Sequence, residues 1–136
     1  MSNTMYLAYS RRQSDTAQKI LSLLIQAGYD AKSLQNSPKD GDLVLLLLDM
    51  ESREDELFAS FPWLRDQFEF SSLRALRLMP FLVYRSSEGD IEEQVENHLA
   101  DTLESVISGE FKPYGFDIDA EDPLKEFASV LENYEE

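Results

Sequence analysis

The sequence predicts one α/β domain, a three-layer sandwich whose central, mainly parallel sheet has four or five strands. Leu43–Leu48 holds six consecutive branched aliphatic residues. Because polar and apolar residues do not alternate there, we expect a central parallel strand covered on both faces. A strand pattern and an amphipathic helix pattern precede that run, as in other α/β domains. The chain has 136 residues, an ordinary length for a single domain.

The first strand and the first helix follow from local patterns. Met5–Ser10 is a short apolar and aromatic run, typical of a buried strand. Thr16–Ala27 has apolar residues at helical spacing, which predicts an amphipathic helix. We expect Ser14 or Asp15 to be its N-cap, and Gly28 to supply the left-handed residue after its last turn.

The middle of the chain predicts a second strand, a turn and an interrupted helix. Tyr29–Leu34 suits a strand, and residues 35–41 have the composition of a turn. Seven extended residues reach only about 23 Å, so no crossover helix fits before Leu43–Leu48. Either the link crosses the strand ends as a loop or the second strand is short. Within Glu51–Leu76 we expect a broken helix, because Pro62 interrupts the helical pattern.

The second half predicts a strand, a helix and a weaker strand, at Leu78–Tyr84, Asp90–Ser108 and Phe111–Ile118. Asp122 as cap and Pro123 at the first helical position open a final helix. Its predicted apolar face contains Leu124, Phe127, Ala128 and Leu131. We expect a core within residues 5–108 and an acidic C-terminal helix at 122–134, all in the one domain 1–136.

The composition excludes several classes of function. Acidic residues number 27 against 12 basic ones, a formal net charge of −15 that disfavours binding to nucleic acid or anionic membranes. The acids are concentrated after Glu88, as a solvated surface or as a face that docks a basic partner. The absence of cysteine excludes disulfides and thiolate chemistry. Because Met1–Asn3 lacks signal-peptide features and Leu43–Leu48 is too short to span a bilayer, we expect a cytoplasmic protein.

Polar residues at three strand ends are candidates for a ligand site. Open parallel sheets bind ligands beyond the C-terminal ends of their strands, where Ser10-Arg11-Arg12, Asp49-Met50-Glu51 and Arg85-Ser86-Ser87 stand. Each set can equally be a plain surface loop. No glycine-rich loop follows the first strand, which disfavours a phosphate-binding nucleotide fold. The single histidine, His98, cannot form a zinc site with a second one, so no metal is predicted.

The segment Tyr6–Asp15 resembles the first motif of TIR-like domains, in which a strand ending in an aromatic residue and a serine leads into a charged loop. The helix ending in Ala27-Gly28, the strand Leu43–Leu48 and the proline-bearing strand Met79–Tyr84 follow in the order of that family. The resemblance covers about residues 5–107 and implies a flavodoxin-like fold. It also implies one of two roles, a self-associating signalling adaptor or an enzyme that cleaves NAD.

The enzymes of the TIR family carry a glutamate one helical turn beyond a tryptophan. Here Gln67 stands four residues after Trp63, and Glu69 takes the carboxylate role only if the segment is not a regular helix. For NAD cleavage the resemblance implies Glu69 as the catalytic residue and ring stacking by Trp63. It also implies substrate contacts from three residues: Tyr9, Ser10 and Arg11. Core packing is the alternative role of Trp63.

A second resemblance concerns the segment Asp42–Met50, which is similar to the third strand of response-regulator receivers, with Asp49 at the phospho-acceptor position. Receivers bind magnesium with an acidic pair after the first strand, but Ser10-Arg11 stands there.

From the two resemblances together, we expect a non-catalytic TIR-like signalling module without a cofactor. We expect it to act by self-association or by binding a protein with a basic surface. A NAD-cleaving hydrolase and a degenerate receiver are the alternatives.

Overall fold

The computed structural model describes residues 4–34, 42–63, 77–89, 92–100 and 113–132. These residues form a five-stranded, all-parallel sheet with the order β2-β1-β3-β4-β5, the strand order of flavodoxin-like folds. The strands are β1 Met5–Ala8, β2 Ala31–Ser33, β3 Leu43–Leu48, β4 Arg77–Tyr84 and β5 Tyr114–Asp117. The described helices are α1 Ser14–Gln26, α2 Glu54–Ser60, α3 Glu92–His98 and α4 Phe127–Leu131. Short 3-10 helices occupy Arg11–Gln13 and Ser86–Glu88.

The central strand β3 separates two hydrophobic clusters, one on each face of the sheet. All six of its side chains are buried. Leu43, Leu45 and Leu47 pack in the cluster that contains the buried faces of α1 and α4. Val44, Leu46 and Leu48 pack in the cluster that contains Leu57 of α2 and Leu99 after α3. The predicted three-layer sandwich and its fully buried central strand are confirmed.

The second strand is short, which explains how few residues connect it to β3. Ala31 and Leu43 both lie beside Met5, on opposite sides of β1, and Ser33 lies beside Leu7. The end of β2 is therefore only two residues further along the sheet than the start of β3, about 7 Å. Seven extended residues reach about 23 Å, which is enough for that offset and the width of β1. The predicted turn at 35–41 lies outside the described residues.

The first helical turn begins earlier than the pattern predicts. The 3-10 helix Arg11–Gln13 leads directly into α1, and Ser10 is its N-cap. The expectation that Ser14 or Asp15 caps the helix is wrong, because Ser14 already has α-helical backbone angles and is the first residue of α1. Gly28 follows α1 with φ of 97°, the left-handed conformation that the sequence predicts.

The helices that cover the second cluster are described in part. α2 ends at Ser60, two residues before Pro62, so the predicted interruption is confirmed in the described segment. α3 lies inside the predicted helix Asp90–Ser108, whose ends at 90–91 and 101–108 lie outside the described residues. None of the helices within the described ranges is long and apolar enough to cross a membrane.

The C-terminal segment packs into the core. Residues 122–126 form turns, with Lys125 N–H donating to Asp122 O and Phe127 N–H to Leu124 O, and α4 begins only at Phe127. The prediction that Pro123 opens an α-helix is wrong, because these bonds link residues three apart, tighter than α-helical spacing. Phe127 is buried, so the core extends beyond residue 108, but Ala128 is exposed, contrary to its predicted place on the apolar face.

Candidate functional site

The candidate site lies where the sheet reverses its direction of winding. The chain leaves β1 towards β2 on one side and leaves β3 towards β4 on the other. The C-terminal ends of β1 and β3 thus diverge, and in open α/β sheets ligands bind at such a switch point. Ser10 follows β1 there and Asp49 follows β3. The sequence-based placement of these two residues at the rim of one sheet is consistent with the observed strand order.

Four hydrogen bonds surround the Asp49 carboxylate. Its Oδ1 accepts the Glu51 N–H at 3.0 Å and the Ser52 hydroxyl at 3.2 Å. Its Oδ2 accepts Arg12 Nη1 at 2.8 Å and Gln13 Nε2 at 3.2 Å. A carboxylate offers about four acceptor positions, so these donors occupy its capacity.

The ionised form of Asp49 is favoured. Partial burial by itself would raise the pKa of Asp49, but hydrogen bonds from Arg12 and Gln13 and the charge of Arg12 outweigh it and leave the pKa below its ordinary value. Asp49 is therefore ionised at neutral pH, but both of its oxygens are already hydrogen-bonded, which does not suit a nucleophile that must approach a phosphoryl group.

Arg12 links three acidic residues across the switch point. Its Nη1 lies 2.8 Å from Asp49 Oδ2 and 3.3 Å from Glu51 Oε2, while its Nη2 lies 3.0 Å from Glu56 Oε1. The guanidinium thus joins the loop after β1, the loop after β3 and the first turn of α2. The pKa of Arg12 is raised, chiefly by its hydrogen bond to Asp49. We call Arg12, Gln13, Asp49, Glu51 and Glu56 the switch-point network.

Gln13 is the buried connector of this network, with only 4% of its surface exposed. Its Oε1 accepts the Ser10 N–H at 3.1 Å and the Ser10 hydroxyl at 3.3 Å, and its Nε2 donates to Asp49. Sequence reasoning missed Gln13, and it named Arg12 only within the strand-end set Ser10-Arg11-Arg12, without its acidic partners. The signal for Gln13 was present, since Ser10-Arg11-Arg12-Gln13 has the spacing of a capping box.

The remaining candidates from the sequence are placed differently. The Tyr9 hydroxyl lies 3.0 Å from Ser33 Oγ and accepts a bond from Gln18 Nε2, so it is tied to β2 and α1. Arg11 is exposed and makes no ion pair within the described residues. The structure therefore brings Ser10 and Asp49 together through Gln13, whereas Tyr9 and Arg11 make no described bond to that network.

Trp63 is buried in the cluster that α2 covers, with its ring centroid 5.7 Å from that of Phe61. This position fits the core-packing alternative, because a ring enclosed by apolar side chains has little surface left for stacking on a ligand. Glu69 and Gln67 lie outside the described residues. The proposed catalytic carboxylate thus has no described position relative to the switch point.

The third candidate loop, after β4, is bound by the segment after β5. Asp117 Oδ1 accepts the Ser86 N–H at 3.1 Å, and Asp119 Oδ2 accepts the Ser87 N–H at 3.2 Å and its hydroxyl at 2.6 Å. These bonds join the loop after β4 to the last residue of β5 and to the segment that follows it. They involve no residue of the switch-point network.

No known protein family and no curated protein matches this chain. Within the described ranges no group of three histidine or acidic side chains is arranged to hold a metal ion. The carboxylates of Asp49, Glu51 and Glu56 surround the Arg12 guanidinium, whose single positive charge offsets only part of their negative charge.

Proposed function

We propose that this chain is a non-catalytic, TIR-like protein-interaction module of the cytoplasm, which binds partners through its acidic surface. The observation that carries the proposal is the ion pair between Arg12 and Asp49 at the switch point. In α/β proteins that bind a ligand, that position is the crevice the ligand enters. Here it is spanned by bonds between the chain's own side chains.

A ligand at this position would have to separate charges that already satisfy one another. Removing Arg12 from Asp49 leaves a partly buried carboxylate without its cation, which is unfavourable unless the ligand supplies another positive charge. The diphosphate of NAD and a phosphoryl group carry negative charge, so neither can replace the Arg12 guanidinium beside Asp49. The network therefore argues against both the NAD-cleaving alternative and the receiver alternative.

Charge supports a partner with a basic surface over a second copy of the chain. With a formal net charge of −15, two copies repel each other at neutral pH. Exposed acids follow one another closely after β5, at Asp119, Glu121, Asp122 and Glu126. A positively charged partner is attracted to such surfaces, and the attraction accelerates association.

The experiment that tests the non-catalytic role is incubation of the pure full chain with NAD, followed by chromatographic measurement of nicotinamide. We expect no release above that in buffer. Release that Glu69→Ala abolishes, while the matched surface variant Glu54→Ala retains it, would overturn the proposal in favour of the hydrolase.

The receiver alternative has its own measurement. Beryllofluoride with magnesium mimics an acyl phosphate, and we expect no change in the amide resonances of Asp49 and its neighbours when both are added. Shifts centred on Asp49 that Asp49→Asn removes would assign the chain to phosphorylation-dependent signalling instead. Arg12→Met, which frees the carboxylate, is the informative second variant, since shifts confined to that variant would support the blocking role of Arg12.

A further inference from the structure

A pocket of about 260 Å³ lies at the β5 edge of the sheet, far along the strand order from the switch-point network. Tyr84, Gly115 and Asp117 line it from the sheet. Pro123, Glu126 and Val130 line it from the C-terminal segment. Neither resemblance found in the sequence assigns a role to these residues.

Residues from both faces of β5 line the pocket. Along β5, Tyr114 and Phe116 face the cluster that contains α4. Gly115 and Asp117 therefore face the opposite side, because side chains alternate along a strand. β5 is the last strand in the order, with β4 as its only strand partner among the described residues. A glycine in such an edge strand lets another backbone approach closely.

The C-terminal wall of the pocket is fixed in place. The Tyr114 hydroxyl donates to Pro123 O, which ties the turn before α4 to β5. Phe127 packs edge-on against the Tyr114 ring with centroids 5.3 Å apart, and it is fully buried. The hydrogen bond and the ring packing therefore fix the C-terminal side of the pocket relative to β5.

The polar residues of the pocket are mainly carboxylates. Asp117, Asp122 and Glu126 line it, and Lys125 is the one basic residue among its described lining. None of the three acids forms an ion pair within the described residues, where Arg12 supplies the cation of each ion pair. Asp117 Oδ1 already accepts the Ser86 N–H, so Asp122 and Glu126 are the carboxylates we expect to be available to a cation that enters the pocket.

We propose that this pocket binds an arginine side chain of an extended basic segment in a partner protein. The proline, valine and tyrosine walls suit the aliphatic stem of that side chain, while the carboxylates suit its head. A guanidinium offers five donors in a planar fork, so it can bind more than one carboxylate at once. The inference rests on the proposed function, because it names the partner chemistry of an interaction module.

The test uses fluorescence anisotropy of the full chain with a fluorescein-labelled nonapeptide that repeats Gly-Ser-Arg three times. A matched peptide carries citrulline, which has the shape of arginine without its charge. We expect the citrulline peptide to bind at least about 10-fold more weakly, since a hydrogen-bonded charge contributes about 1.5–3 kcal/mol. A lysine peptide should bind more weakly than the arginine peptide.

Matched variants separate the pocket from the general negative field. The double variant Asp122→Asn with Glu126→Gln should weaken arginine-peptide binding at least about 10-fold. The control Asp55→Asn with Glu54→Gln removes the same charge from α2 and should change it less than about 2-fold. Circular dichroism checks that both variants fold.

Two results would overturn the pocket assignment. One is equal weakening by both double variants, which indicates attraction by overall charge only. The other is no arginine-specific binding up to about 1 mM peptide. Neither result affects the nicotinamide measurement, so the pocket can fail while the proposed function stands. Nicotinamide release that depends on Glu69 would instead remove the proposed function.

Discussion

Replacing Arg12 with methionine tests whether the switch-point network stabilises the fold. Arg12 and its partners Asp49 and Glu56 are each about a quarter to a third exposed, so each pair is discounted for solvent screening to about 0.5–1 kcal/mol. Glu51 is 77% exposed and should contribute almost nothing. The Arg12→Met variant should therefore lose about 1–2 kcal/mol of unfolding free energy. For a chain of this length that corresponds to a fall in Tm of about 3–7 °C.

The pH dependence of this loss follows from the depressed pKa of Asp49. A carboxylate with a depressed folded-state pKa stabilises the protein above its unfolded pKa of about 4, and the stabilisation disappears as the pH falls through the folded pKa. The difference between wild type and Arg12→Met should be constant from pH 7 to about pH 5. It should begin to shrink below about pH 4, where the unfolded chain binds a proton at Asp49, and it should vanish only once the folded protein binds that proton too.

Urea unfolding followed by circular dichroism at pH 7, 5 and 3.5 measures that difference. Arg11→Met is the matched control, because it makes the same chemical change one residue away and its arginine forms no ion pair within the described residues. We expect a change below about 0.5 kcal/mol for the control. Equal losses for both variants, or a loss for Arg12→Met that grows as the pH falls from 5 to 3.5, would contradict the stabilising role of the network.

Three further predictions concern packing and backbone conformation, each read from chemical unfolding. Leu46→Ala should lower the free energy of unfolding by about 3–4 kcal/mol, because Leu46 is fully buried. Ile25→Ala, at a 58% exposed position, should lower it by less than about 1 kcal/mol. Similar losses for the two variants would contradict the burial of Leu46. Gly28→Ala should lose about 1 kcal/mol, since an added Cβ meets no atom within 4 Å and only the left-handed φ opposes it. Ser22→Ala in α1 is its control and should be neutral or slightly stabilising. Phe127→Ala should lower the free energy of unfolding by about 3–5 kcal/mol and should expose the C-terminal segment to protease. Undiminished protease resistance would argue against an anchoring role of Phe127.

The elements that the sequence predicts well are those that local composition decides. Leu43–Leu48 is observed with the predicted bounds, because a run of six branched aliphatic residues has few alternatives to a fully covered strand. Gly28 is observed in its predicted conformation for a similar reason, since a glycine after an amphipathic helix is a local signal. Neither prediction needed knowledge of distant parts of the chain.

The start of α4 is predicted less well because tertiary contacts override the local signals of a helix start. Asp122 and Pro123 carry the signals of a helix start, but the chain forms tighter turns until Phe127. The Tyr114 hydroxyl holds Pro123 O, and Phe127 is held in the core. Tertiary contacts therefore place the helix start, and a single-sequence pattern does not contain them.

The sequence predicts where the candidate site lies in the sheet, but it does not predict which side chains bind one another there. The rule for strand ends places Ser10 and Asp49 at the rim. The pairing of Arg12 with Asp49 joins residues 37 positions apart and depends on β1 and β3 being neighbours. That adjacency is a property of strand order, which the sequence left open. Gln13 is different, since its capping-box spacing to Ser10 is visible in the sequence, whereas the prediction placed the N-cap at Ser14 or Asp15.

The division of the side chains of β3 between two clusters has a consequence for how the protein unfolds. Leu45 and Leu47 belong to one hydrophobic cluster and Leu46 and Leu48 to the other. Neither helical layer can detach without exposing apolar side chains of a strand that the opposite layer also needs. The two clusters are thus coupled through one stretch of backbone, which favours a single cooperative transition over stepwise loss of one layer.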